Sequence, residues 1–155
     1  MRIKLLAMDV DGTLTDGRIY IGQTGEIMKA FDVKDGYGIV QFRKADGIPV
    51  VITGRDSMIV EQRCKELGVS ELHQGVGDKL GCLMGLAQHY GLTREQVAYI
   101  GDDLNDLDCV QYAGISACPA DAVDAVQTSV DYVCTHEGGR GAVREFIEYL
   151  LNRDS

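Results

Sequence analysis

The chain has 155 residues, of which 45% are hydrophobic and 25% charged, a composition typical of one globular domain spanning residues 1–155. The formal net charge of −9 argues against nucleic acid or an anionic membrane surface as a partner. No apolar run approaches the roughly 20 residues of a membrane span, and the five cysteines show no Cys-x-x-Cys spacing. We therefore expect a cytoplasmic protein with reduced cysteines.

An apolar run over residues 3–9 predicts a central strand of a parallel sheet, buried on both faces. At its end stand Asp9 and Asp11, whose side chains share a face because they lie two positions apart in an extended chain. Two neighbouring carboxylates repel each other unless a cation neutralises them or one is protonated. The pair therefore indicates a functional site, although a strand followed by an Asp-Gly turn is common in globular proteins.

Residues 17–31 contain two short β-prone runs around a glycine-rich turn, which predicts a β-hairpin. A hairpin directly after the first strand interrupts the alternation of strands and helices, so we expect it to project as a flap. Its apolar residues Ile19, Ile21, Ile27 and Phe31 need a partner. They either pack against the body of the protein or pair with another subunit.

The rest of the chain alternates between helical and extended patterns. Asp35 is predicted to cap a helix that runs to about Lys44. The further segments are a strand over 49–53, a helix over 57–67, a weak strand over 71–74, a helix over 78–90, strands over 97–101, 115–118 and 131–134, and a last amphipathic helix after the glycines at 138–141. This alternation predicts an α/β fold with a Rossmann-like, doubly wound, mainly parallel sheet.

Polar residues follow several of these strands. They are Asp9 and Asp11, Thr53 and Gly54, and Asp102 and Asp103, with Lys79 at the start of a helix between them. Ligands bind beyond the carboxyl ends of parallel strands. Carboxylates hold magnesium, a hydroxyl and free amides hold phosphate oxygens, and a lysine offsets negative charge. The set therefore predicts a phosphoryl-transfer site.

These stretches resemble the four motifs of the haloacid dehalogenase (HAD) superfamily of phosphatases, and they follow one another in the same order. The matching segments are Asp9-Val10-Asp11-Gly12-Thr13, Ile52-Thr53-Gly54, Lys79, and Gly101-Asp102-Asp103-Leu104-Asn105-Asp106. The segments from Thr13 to Thr53 and from Lys79 to Asp102 are too short to hold a separate cap domain. We therefore expect a capless HAD fold.

The resemblance implies a role for each motif residue. Asp9 would be the nucleophile that forms an aspartyl-phosphate, and Asp11 the general acid and then the base. Mg²⁺ would be held by Asp9, the main-chain carbonyl of Asp11, and Asp102. Thr53 and Lys79 would hold the phosphoryl group, together with backbone amides near Gly12 and Gly54. Asp103 and Asp106 would orient metal-bound waters and Lys79.

Over nearly its whole length the chain also resembles the 3-deoxy-D-manno-octulosonate (KDO) 8-phosphate phosphatase family. The stretches that carry this resemblance are residues 8–17, 31–38, 52–55, Arg63, 74–75, 78–79 and 138–145. It implies hydrolysis of KDO 8-phosphate to KDO and phosphate in lipopolysaccharide precursor synthesis. It also implies a homotetramer whose hairpins form a central barrel.

The same resemblance implies contacts between the sugar acid and the segment Asp32-Val33-Lys34-Asp35-Gly36, Arg55 and Arg63. A guanidinium suits the carboxylate of such a substrate. On residue type alone, however, Arg63 is a solvated helix residue. The roles of His136 and Arg140, which adjoin the glycine-rich tail, stay open.

Two alternatives remain at the level of sequence. One is a phosphatase for a nine-carbon keto acid, such as KDN 9-phosphate, but those enzymes tend to have an acidic residue where this chain has Arg55. The other is a noncatalytic HAD-like tetramerisation module, against which the intact set of Asp9, Asp11, Lys79 and Asp102 argues.

Overall fold

The computed structural model describes residues 1–153. The strands are β1 (Leu5–Met8), β2 (Tyr20–Gly22), β3 (Gly25–Met28), β4 (Ile48–Ile52), β5 (Glu71–His73), β6 (Val97–Ile100), β7 (Ile115–Cys118) and β8 (Tyr132–Val133). The helices are α1 (Val33–Lys44), α2 (Met58–Leu67), α3 (Lys79–His89), α4 (Leu107–Tyr112), α5 (Asp124–Gln127) and α6 (Ala142–Arg153), with short 3₁₀ turns over Arg94–Gln96 and Leu104–Asp106. None of the helices within residues 1–153 is both long enough and apolar enough to cross a membrane.

Six strands form one parallel sheet in the order β5-β4-β1-β6-β7-β8, while β2 and β3 form a separate antiparallel hairpin. Helices cover both faces of the sheet, since alternate residues of β1 belong to different core clusters. Leu6 and Met8 pack with residues of α1, α2 and α6, whereas Leu5 and Ala7 pack with residues of α3 and α4. The predicted doubly wound, mainly parallel α/β fold is confirmed.

The order of strands reverses at β1. The chain runs outward from β1 through β4 to β5 and then returns to place β6 on the other side of β1. Such a switch point opens a crevice beyond the carboxyl ends of the strands, where ligands bind in open α/β sheets. The residues that follow β1, β4 and β6 therefore meet in one crevice.

The hairpin predicted over residues 17–31 has its paired strands at 20–28. Phe31 packs against the main core, but Ile21 is 68% and Ile27 64% exposed. Phe31 therefore packs against the body of the protein, as one of the two expectations had it. Ile21 and Ile27, at the tip of the hairpin, are not covered by any other part of the described chain.

The predicted cap at Asp35 is wrong. Helix α1 begins earlier, because the carboxylate of Asp32 accepts the N–H of Lys34 at 2.7 Å and acts as the N-cap. Asp35 lies in the first turn, where its side chain is buried and accepts the N–H of Arg144 at 2.9 Å. The carboxylate of Asp35 therefore satisfies a backbone N–H group in the first turn of α6 and links α1 to α6.

Candidate active site

Seven of the predicted site residues line one pocket of about 180 Å³ at the carboxyl edge of the sheet. The lining consists of Asp9, Asp11, Thr53, Gly54, Arg55, Asp102, Asp103 and, in addition, Asn105. Asp9 and Asp11 follow β1, the Thr53 segment follows β4, and the Asp102 segment follows β6. The topology of the sheet therefore brings together residues that lie up to about a hundred positions apart.

Lys79, the first residue of α3, forms the ionic centre of this site. Its Nζ lies 2.8 Å from Oδ1 of Asp9 and 3.0 Å from Oδ1 of Asp106, and all three side chains are at least 92% buried. Burial alone would lower the pKa of Lys79, but the two carboxylates raise it above its ordinary value. Lys79 is therefore a cation, held within reach of the oxygens of Asp9.

Asp106 is fixed from several sides. Its Oδ1 accepts hydrogen bonds from Lys79 and from the hydroxyl of Tyr99, and its Oδ2 accepts the N–H groups of Asp102 and Asp103 at 3.0 and 3.1 Å. Asp103 in turn accepts the N–H of Leu104 and caps the 3₁₀ turn. These bonds hold both Lys79 and the backbone that presents Asp102.

Asp102 has a buried oxygen, Oδ1, without a hydrogen-bond partner in the part of the chain that the structure describes. Burial, followed by the neighbouring Asp9 and Asp106, raises the pKa of Asp102 to about 9. Oxygens of these three carboxylates lie within 4.8 Å of one another. An orphaned oxygen among crowded carboxylates fits a hard divalent cation, which takes oxygen ligands and offsets their repulsion.

The cluster of carboxylates in the structure, Asp9, Asp102 and Asp106, differs from the predicted metal ligands in having Asp106 in place of Asp11. Asp106 belongs to it, but the oxygens of Asp106 already accept bonds from Lys79, Tyr99 and two backbone amides. The carboxylate of Asp11 instead pairs with Lys29 at 2.6 Å, which leaves its main-chain carbonyl as the predicted ligand. Asp9 and Asp102 are therefore the side chains whose carboxylate oxygens are available to bind a metal ion.

Glycines permit the close packing around these carboxylates. At Gly12, φ is +94°, and a Cβ atom would stand 1.9 Å from Oδ2 of Asp102. At Gly138, a Cβ atom would stand 1.9 Å from the carbonyl oxygen of Gly12, and the N–H of Gly139 donates to the carbonyl of Thr13 at 3.1 Å. The glycine-rich tail therefore packs directly on the loop that follows Asp9.

Sequence reasoning missed Lys29 of the hairpin. Its side chain is 2% exposed, and its Nζ lies 2.6 Å from Oδ1 of Asp11 and 2.8 Å from Oε2 of Glu26. The other oxygen of Glu26 accepts the hydroxyl of Ser57 at 2.6 Å. Burial alone would lower the pKa of Lys29, but its bonds to Asp11 and Glu26 raise it. The available signal was a lysine three residues after a glutamate in the predicted hairpin.

Four of the expected sugar-acid contacts lie elsewhere in this chain. Asp32, Asp35, Gly36 and Arg63 line a small, mostly apolar cavity bordered by α1 and α2. The guanidinium of Arg63 lies 5.7 Å from the centre of the Phe31 ring, and its Nε is buried without a partner among the described residues. Arg55 is thus the expected guanidinium that shares the pocket of Asp9.

The other two members of the 32–36 segment face outward. Val33 is 81% exposed, and Lys34 lines a groove of about 130 Å³ beside α6 together with His136 and Arg140. Nδ1 of His136 lies 2.7 Å from Oε1 of Glu145. Although burial opposes the effect, the N–H groups of Thr135 and His136 lower the pKa of Glu145 to about 2. His136 therefore forms part of the hydrogen bonding around the glycine-rich tail and lies outside the pocket lined by Asp9 and Asp102.

Known proteins share both the sequence and the fold. The sequence pattern of the haloacid dehalogenase-like hydrolases matches residues 68–147. The chain is 46% identical over 149 residues to KdsC, the 3-deoxy-D-manno-octulosonate 8-phosphate phosphatase of Escherichia coli strain K12, covering 96% of this chain and 79% of that protein.

Two solved structures give the same result. The Moraxella catarrhalis KDO 8-phosphate phosphatase, solved with magnesium, phosphate and KDO, aligns with a TM-score of 0.94 at 45% identity, covering 97% of this chain and 86% of that one. The cobalt-bound phosphatase of Haemophilus influenzae aligns with a TM-score of 0.95 at 40% identity, covering 97% and 88%. The fold and the site define a haloacid dehalogenase-like hydrolase. Within that class, the chain belongs to the KDO 8-phosphate phosphatase family.

Proposed function

We propose that this protein is a Mg²⁺-dependent phosphatase that hydrolyses KDO 8-phosphate to KDO and phosphate. The observation that carries the proposal is the set of buried Asp9 and Lys79 and half-buried Asp102 at the switch point of the sheet, with Thr53 on the neighbouring strand end. Two carboxylates, a lysine and a hydroxyl in this arrangement suit phosphoryl transfer. The identity of about 45% to phosphatases of this name supports the substrate.

In the proposed reaction, a carboxylate oxygen of Asp9 attacks phosphorus and forms an aspartyl-phosphate. The bond from phosphorus to the ester oxygen breaks, and that oxygen leaves with the electron pair and takes a proton from Asp11. Asp11, now a carboxylate, removes a proton from the water that hydrolyses the intermediate. Phosphate is released, and Asp9 is regenerated.

The remaining polar groups would bind the phosphoryl oxygens. Thr53 offers a hydroxyl, Lys79 a buried ammonium, and the segment after β4 free backbone amides near Gly54. Asp106 and Asp103 would hold Lys79 and the Asp102 backbone in place. A chain of net charge −9 would repel an anionic substrate, and the positive charge of Lys79 in the site offsets this repulsion locally.

Mg²⁺ would be held by Asp9, Asp102 and the main-chain carbonyl of Asp11, and it supplies charge stabilisation for the phosphoryl group. The orphaned oxygen of Asp102 supports this assignment. Without the cation, the crowded carboxylates favour protonation, as the raised pKa of Asp102 indicates.

Recognition of the sugar acid would begin with Arg55, whose guanidinium can pair with a carboxylate in the pocket of Asp9. We propose that Asp32, Val33, Lys34, Asp35, Gly36 and Arg63 also contribute, across the boundary with a second subunit. This would explain why these residues lie outside that pocket in one chain.

We further propose a homotetramer built through the hairpin, with residues 1–155 acting as one domain in the cytoplasm. The exposed Ile21 and Ile27 support this arrangement, since each of them leaves apolar surface in water. All five cysteines are free, which suits a reducing compartment.

The test is phosphate release, measured with and without Mg²⁺, from KDO 8-phosphate, KDN 9-phosphate and simple sugar phosphates. We expect Mg²⁺-dependent turnover with kcat/KM highest for KDO 8-phosphate. A preference of about tenfold or more for the nine-carbon ester, which corresponds to about 1.4 kcal/mol, would overturn the substrate. No release from any ester would favour the noncatalytic tetramerisation module instead.

A further inference from the structure

The hairpin carries a buried ion pair that reaches into the active site. Lys29, just after β3, donates a hydrogen bond to Oδ1 of Asp11 at 2.6 Å, and its Nζ lies 2.8 Å from Oε2 of Glu26 in an ion pair, with only 2% of its side chain exposed. Burying an ammonium is costly unless its donors are used. Glu26 alone could pair with the charge, yet Lys29 also reaches a residue of the catalytic pocket.

The partners of Lys29 are fixed in turn. Oε1 of Glu26 accepts the hydroxyl of Ser57 at 2.6 Å, and Ser57 is the N-cap residue of α2, just beyond Thr53 and Arg55. The N–H of Ser57 donates to the side chain of Gln74 at 2.8 Å. A continuous series of polar contacts therefore runs from the start of α2, through the hairpin, to Asp11.

We propose that Lys29 is a positioning residue for Asp11. Lys29 holds one carboxyl oxygen of Asp11 and leaves the other oxygen to face the substrate. The inference rests on the proposed function, in which Asp11 is the general acid. An ammonium has three donors and no acceptor, so it occupies Oδ1 as an acceptor. The transferable proton then lies on Oδ2, and Lys29 sets the direction in which Asp11 delivers it.

The leaving group provides a test that a merely structural residue would not pass. KDO 8-phosphate is an alkyl ester, whose departing oxygen needs a proton, whereas p-nitrophenyl phosphate releases a stable phenolate that needs none. Misplacing the general acid should therefore slow the alkyl ester selectively. A general loss of folding or of phosphate binding would slow both esters alike.

The experiment compares Lys29→Met, Lys29→Arg and the wild type on both esters with Mg²⁺. For Lys29→Met we expect kcat to fall about 30-fold or more on KDO 8-phosphate and less than about threefold on p-nitrophenyl phosphate. Lys65→Met, the same change at an exposed lysine of α2, is the matched control and should alter neither rate.

Lys29→Arg keeps the charge and is expected to fold even if the methionine variant does not. A guanidinium presents its donors in a planar fork, so we expect the same selectivity with a smaller loss, at least about threefold greater on the alkyl ester. Equal losses on the two esters, or no loss, would overturn the role of Lys29. A wild-type protein that hydrolyses p-nitrophenyl phosphate but not KDO 8-phosphate would instead contradict the proposed substrate, and the comparison would then use an alkyl phosphate that it does hydrolyse. A wild type inactive on every ester would overturn both proposals.

Discussion

The carboxylate of Asp35 accepts the backbone N–H of Arg144 at 2.9 Å, across 109 positions of sequence. This bond joins the first turn of α1 to the first turn of α6, and the second oxygen of Asp35 is buried without a partner among residues 1–153. Burial, with a smaller contribution from Asp32, raises the pKa of Asp35 to about 6. The charged form of this side chain therefore costs stability.

We expect this carboxyl to make the protein less stable as pH rises. Between its ordinary value of 3.8 and about 6, the folded state binds the proton more tightly than the unfolded state. The free energy of unfolding should therefore fall through this window, by on the order of 3 kcal/mol from Asp35.

Urea denaturation of the wild type and Asp35→Asn at pH 4 to 8 would measure the effect. The asparagine can still accept the N–H of Arg144 but cannot ionise. We expect its advantage over the wild type to grow between pH 4 and 7 and then to level off. A difference that stays constant across the series would contradict the assignment.

Binding of Mg²⁺ should release close to one proton per site at pH 7.5. In the absence of the cation, the pKa of Asp102 lies at about 9, so the group is mostly protonated at this pH. A coordinated carboxylate must be ionised, and its proton passes to the buffer. Release should decline toward zero as pH rises above 9.

Titration calorimetry in Hepes and in Tris, whose ionisation enthalpies differ, would count the protons. Asp102→Asn should bind Mg²⁺ weakly, because it loses the anionic ligand. Identical binding enthalpies in the two buffers at pH 7.5 would show that Asp102 is already charged before the metal arrives.

The residues of the carboxylate pocket could be found from sequence because their signals are local. A run of apolar residues that ends in Asp9, Thr53 or Asp102 marks both the strand and its carboxyl end, and parallel strands bring these ends together. The end of α2 was predictable for the same reason, because Gly68 follows the helix and adopts a φ of +73°, which favours glycine.

Long-range partners could not be found in this way. The sequence pattern favoured Asp35 as the cap of α1, whereas Asp32 is the N-cap and the packing of α6 assigns Asp35 to Arg144. Lys29 meets Asp11 because of the direction in which the hairpin folds back, which no pattern within residues 17–31 specifies. The hairpin itself was predictable, but its contact with the site was not.

Replacing Asp9, the proposed nucleophile, should abolish turnover while leaving the fold intact. In Asp9→Asn the side chain can still accept a hydrogen bond from Lys79, and the crowding of carboxylates decreases. We expect kcat to fall by at least about 10³-fold, with the free energy of unfolding within about 1 kcal/mol of the wild type.

Phosphate release and thermal unfolding of Asp9→Asn, measured together, would check this prediction. Asp46→Asn is the matched control, since Asp46 is exposed and has a φ of +66°, which asparagine tolerates. Substantial residual phosphatase activity in Asp9→Asn would rule out Asp9 as the nucleophile.

The exposed tip of the hairpin should decide the oligomeric state. A charge at Ile21 or Ile27 would have to be buried wherever hairpins of different subunits meet, and an unpaired buried charge is strongly unfavourable. We therefore expect Ile21→Asp and Ile27→Asp to dissociate the proposed tetramer with little change in secondary structure. Light scattering after size exclusion, with circular dichroism, measures both properties. Met58→Asp, at an 84% exposed apolar residue on α2, should leave the tetramer intact. If the isoleucine variants stay tetrameric, the subunits must associate through another surface.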